Sequence, residues 1–140
     1  MDERLKAVWW ALRIGLGAAA FLAGLDKFFN LLADWEAYLS PAVAAIVPVS
    51  AGALMRGIGI VEMAVGLCIL SRRTRLGAWL ATGWLAVIAV ALLTTGRYFD
   101  VAVRDLEMAV AAFALAQLTR VREEAPARQP RHMFESVVAG

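Results

Sequence analysis

The residues with chemical reach in this chain are charges set among apolar neighbours. The stretch "ALRIGLGAAAFLAGLDKFF", residues 11–29, carries Arg13 in its first half and an Asp26-Lys27 pair near its end. Further on, "ALMRGIGIVEMAVGLCIL" holds Arg56 and Glu62, and "RYFDVAVRDLEMAV" holds Arg97, Asp100, Arg104, Asp105 and Glu107. An ionisable side chain at membrane depth costs at least ~2.5 kcal/mol on insertion scales, so such residues normally face the protein interior and find partners. The chemistry open to them is ion pairing, recognition of a polar ligand, or proton transfer through Glu62.

Other chemistries lack their residues. The single cysteine, Cys68, excludes an intrachain disulfide and a C-x-x-C redox pair, and it is read as a small core residue. The single histidine, His132, lies in the polar C-terminal tail, so bis-His haem ligation has no ligands within the apolar runs. No metal-ligand cluster, nucleophile with a base, or phosphate-cradling loop is visible, and no catalytic residue is assigned. A net charge of +2, concentrated in connections, gives no reason to expect a nucleic-acid partner.

The elements that must position these charges follow from hydropathy. Of the 140 residues 61% are hydrophobic, above the roughly 45–50% of soluble domains, which marks an integral membrane protein. A helix needs about twenty apolar residues to cross the bilayer. Four segments reach or approach that length: 7–28, 48–70, 76–96 and 100–118. Residues 7–28 are expected to be a retained span and not a removed secretory signal. Between the first two spans, "LLADWEAYLSPAVAAIVPVSAG" is interrupted by Pro41 and Pro48. It is expected to form a short helix over 35–46 at the interface, with Trp35 and Tyr38 as headgroup-level anchors.

Positive charge sets the topology. Arg4 and Lys6 precede the first span, Arg72, Arg73 and Arg75 lie between the second and third, and Arg120, Arg122, Arg128 and Arg131 follow the fourth. All three groups share a side only if the number of spans is even, which predicts an all-α four-helix bundle with both termini cytoplasmic. The domain is expected over 1–119. The remainder, 120–140, is expected to be a polar cytoplasmic tail that contacts a partner protein.

Depth then suggests pairs. Arg13 lies ~9 Å into the first span and Glu62 ~13 Å into the second from the same side, at 1.5 Å per residue, which predicts an Arg13–Glu62 ion pair. Asp26, Lys27, Arg56, Arg97, Asp100, Arg104, Asp105 and Glu107 form an outer charged layer and a candidate ligand site. Within it Lys27, Arg56, Asp105 and at least one of Asp26, Asp100 or Glu107 are expected to form one connected network, and Arg104 and Glu107 to pair along one helix face.

These residues resemble a known pattern. "LRIGLGAAAFLAGLDKFF", "IVEMAVGLCIL" and "VRDLEMAVAAFALA" are similar, in order and spacing, to the helix signatures of the DoxX-like family of bacterial integral membrane proteins. The resemblance covers roughly residues 5–118 and places family-type positions at Arg13, Gly17, Gly24, Lys27, Glu62, Gly66, Arg104 and Asp105. It implies a multi-pass protein of the bacterial inner membrane, serving as an accessory subunit of a redox or energy-transducing complex and associated with quinone. An independent carrier or binding protein for a small molecule, using the outer charged layer, is the alternative. No cofactor is expected to be held by this chain alone; quinone or lipid are the molecules it would meet, with other membrane subunits as partners.

Overall fold

The computed structural model describes residues 2–125. Among them the elements are all helical: α1 (Glu3–Asp26), a single 3-10 turn (Trp35–Tyr38), α2 (Pro41–Ile46), α3 (Ala51–Leu70), α4 (Thr74–Leu93) and α5 (Phe99–Glu124). Three of these, α1, α3 and α4, are long and apolar enough to cross a membrane. Large apolar side chains also point outward from all four long helices, among them Ile14, Leu22, Ile60, Leu67, Leu80, Val87 and Val110. An exposed apolar surface of this extent belongs in lipid.

The helix ends follow local chemistry. The second long helix begins at Ala51 and not at Pro48, because Ser50 supplies the N-cap by accepting a hydrogen bond from Ala53 N at 3.3 Å. Pro48 stays in the connection. The expected 35–46 helix is divided at Leu39 and Ser40 into the 3-10 turn and α2, with Pro41 in the first turn of α2. The last helix runs past the expected boundary at 119, since Arg120 bonds Glu124 at 2.8 Å along its face and Glu123 accepts from Arg75 on α4. The expected tail therefore begins as helix, and its partner contact falls mainly on 126–140, outside the described residues.

The long helices pack most closely as two pairs, α1 with α3 and α4 with α5. Buried Ala78, Ala81, Ala112 and Ala116 let α4 and α5 approach, and Trp9, Leu16, Val65, Ile69 and Leu115 complete the core. In the first pair the contact is tighter still. A Cβ at Gly24 would lie 2.5 Å from Gly59 O, and one at Gly66 would lie 2.7 Å from Gly17 O. Nothing larger than glycine fits this crossing. The antiparallel register is thereby fixed: 17 lies opposite 66, 24 opposite 59, and 13 opposite 70.

Candidate functional site

That register decides the ion pair. Lys27, just past the end of α1, reaches the middle of α3, where its Nζ donates to Glu62 Oε2 at 2.6 Å. Its side chain is 5% exposed and that of Glu62 12%, so the pair is held away from water. The Trp35 ring centroid lies 3.7 Å from Lys27 Nζ, close enough for a cation–π contact on the open side of the ammonium. Asp26, next in sequence, accepts bonds from Leu31 N, Leu32 N and Trp35 Nε1 at 2.8–3.0 Å. Asp26 thus fixes the indole that covers Lys27.

The expected Arg13–Glu62 pair does not form. Arg13 instead donates to the carbonyls of Ile69, Leu70 and Ser71 at the end of α3. Those carbonyls have no intrahelical N–H partner, and the helix end carries partial negative charge, so a guanidinium fork satisfies both. The depth argument failed because α1 begins at Glu3 and overhangs α3. Residue 13 is level with 70, eight residues or ~12 Å from Glu62 at 1.5 Å per residue. The overhang packs against the end of α5, where Trp9 Nε1 donates to Thr119 Oγ1 at 2.8 Å and Arg122 lies 4.0 Å from the Trp9 ring centroid.

The outer charged layer is only partly assembled. Lys27, Glu62, Arg104 and Asp105 line one cavity, with Asp105 half-buried and Arg104 otherwise exposed. Arg56, Asp100 and Glu107 are exposed and join no ion pair among the described residues, so the network expected around Arg56 is not connected and Arg104–Glu107 is not bridged. Arg97 is exposed, with its guanidinium 5.3 Å from the Tyr98 ring centroid. Trp35 and Tyr38, expected as headgroup anchors, turn inward and line the cavity. Tyr38 packs edge-on against Tyr98 at 4.7 Å, and the buried Ser40 hydroxyl is 2.9 Å from Thr94 Oγ1. These contacts seat the connection between α1 and α3 across the end of the helix bundle opposite the α3–α4 turn.

The cavity has a volume of about 520 Å³, within the ~300–1,000 Å³ of small-molecule sites. All four long helices and the α1–α3 connection contribute walls, and most of these are apolar: Leu16, Val65, Leu85, Ile88 and Met108 are typical. One wall residue was not anticipated. Trp84, mid-length in α4, has a buried Nε1 with no hydrogen-bond partner among the described residues. An indole N–H in an apolar interior normally finds an acceptor, so a tryptophan at mid-span, far from the interfacial belts, was the available signal. The cavity therefore offers an apolar volume and a polar end made by the Lys27–Glu62 pair, with the Trp84 indole facing Glu62.

Comparison of the chain with protein-family models, curated proteins and solved structures gives no match.

Proposed function

We propose that this chain is a multi-pass membrane protein that binds a small amphipathic molecule in the cavity between its helices. The observation that carries this reading is the cavity itself, with apolar walls from all four long helices around the Lys27–Glu62 pair and the Trp84 indole facing Glu62. The molecule that fits has an apolar body and a carbonyl or hydroxyl oxygen to accept from the indole. The resemblance to DoxX-like proteins makes quinone the first compound to test, and an accessory role in a redox complex of the bacterial inner membrane the first context.

Four spans with both termini cytoplasmic suit this reading. The charges of α5 stand in its first turns and its last, yet its middle packs along α4 and shares the depth of that helix. Arg4, Lys6, Arg72, Arg73, Arg75, Arg120 and Arg122 then gather at one end, the cytoplasmic one by the positive-inside rule.

The test is thermal unfolding of the purified chain in detergent with a short-chain quinone, alongside mass spectrometry of lipid-soluble molecules and chains that copurify from native membrane. Stabilisation by the quinone, exceeding that from an alkyl alcohol of equal length and lost in Trp84→Phe, is expected. Equal effects of quinone and alcohol in both proteins would overturn the proposed recognition.

A further inference from the structure

At the end of the molecule opposite Lys27, most basic residues are already engaged. Arg13 is bonded to the end of α3, Arg120 to Glu124, and Arg122 is stacked on Trp9. Two are not. Arg72 and Arg73, in the turn between α3 and α4, have exposed side chains that make no ion pair or hydrogen bond with the described residues. With Arg75, Leu76 and Trp79 of α4 and Glu123 of α5 they line an open groove of about 470 Å³. Glu123 accepts from Arg75 Nη1 at 3.2 Å and so offsets one of the three guanidinium charges. The groove keeps a net positive charge carried by two free forks.

Its other wall is apolar. Leu76 is 50% exposed and Trp79 44%, and the Trp79 ring is held edge-on against Phe113 at 5.5 Å. Trp79 lies one helical turn beyond Arg75, followed along α4 by the exposed Leu80 and Val87. Charge followed at once by lipid-facing apolar surface matches a phosphate joined to acyl chains, whereas a free phosphate would have no use for Leu76 and Trp79. We propose that this groove binds the headgroup of an anionic phospholipid, with the phosphate between Arg72 and Arg73 and the upper acyl chain against Leu76 and Trp79. Planar guanidinium forks bind phosphate oxygens in a bidentate manner. A zwitterionic headgroup is disfavoured, because its cation would lie beside three arginines. The proposal rests on α4 crossing the bilayer but not on what occupies the cavity.

The test measures lipid binding to the full chain in detergent by native mass spectrometry, with thermal unfolding in parallel. Phosphatidylglycerol is compared with phosphatidylcholine, inorganic phosphate and glycerol 3-phosphate. A preference for phosphatidylglycerol over phosphatidylcholine on the order of tenfold is expected, from two arginines acting on one phosphate. Arg72→Gln/Arg73→Gln should abolish that preference, Arg72→Lys/Arg73→Lys should keep part of it, and Arg97→Gln at the far end should leave it intact. Equal binding of the two lipids would overturn the proposal, as would a preference that survives the double Gln change. Equal stabilisation by inorganic phosphate would replace the lipid with a free anion. Trp84→Phe, which tests the cavity, should not alter any of these results.

Discussion

Lys27 Nζ and Glu62 Oε2 lie 2.6 Å apart, brought together by a helix crossing too close for any residue larger than glycine. Removing one partner strands the other charge in an apolar interior. Lys27→Leu or Glu62→Leu alone should cost ~3–5 kcal/mol, and the double change markedly less than their sum. A double-mutant cycle on unfolding in detergent measures this, and additive losses would show that the two charges are not coupled.

Arg13 has a different task, and its variant should behave differently. Arg13→Leu frees carbonyls at the end of α3 and should destabilise by ~1.5–3 kcal/mol, the range for hydrogen bonds to a charged group. Combined with Glu62→Leu, its effect should add to within ~0.5 kcal/mol, as expected for sites without a shared partner. Strong coupling between these two would contradict the register.

The glycines of the crossing should respond unequally to added bulk. Gly24→Ala and Gly59→Ala place a Cβ 2.5 Å from the facing backbone carbonyl, so the helices must separate and the Lys27–Glu62 bond must lengthen. A loss of ~1–3 kcal/mol is expected, as for other overpacked sites. Gly57→Ala and Gly83→Ala meet nothing within 4 Å and should be neutral or slightly stabilising.

Trp84→Phe should change the stability of the ligand-free protein by no more than ~1 kcal/mol, because the indole N–H faces Glu62 without a well-formed hydrogen bond, and Lys27 already pairs with that carboxylate. A larger loss would mean that the indole N–H bonds Glu62 strongly in the absence of ligand.

The topology has its own measurement. In a Cys68→Ala background, a thiol at Arg73 should react with an impermeant reagent only from the cytoplasmic side, and one at Arg97 only from the other. Labelling of both from the same side would remove the four-span arrangement.

Hydropathy located α1, α3 and α4 to within about four residues, because about twenty apolar residues in a row leave little choice of structure, whereas α5 runs six residues past the expected 118 on its polar face. Pairing was less legible. The depth of Arg13 was counted from the start of its apolar run, but the helix begins earlier, at Glu3, and only the glycine contacts fix how far α1 slides along α3. Lys27 shares its cavity with the expected Asp105, but its ion-pair partner is Glu62 and Arg56 is not connected to it, for the same reason. Trp35 and Tyr38 were read as anchors from their type, although their inward turn depends on Asp26 and Tyr98, which no local pattern reveals. Trp84 escaped notice because an indole in an apolar run looks like any other core residue until its neighbours are known.

The two close helix pairs, α1 with α3 and α4 with α5, meet each other more loosely than the helices meet within each pair. Mechanically this is a clasp: two stiff jaws, with the cavity along the seam between them. On the proposed reading, a molecule entering from the bilayer would part that seam away from Gly77, where α4 lies against Ile69 of α3, while the glycine crossing keeps its own jaw rigid. If the cavity binds the proposed amphipathic molecule, its exchange should respond to the lateral pressure of the surrounding lipid, with a thinner or more fluid bilayer speeding release.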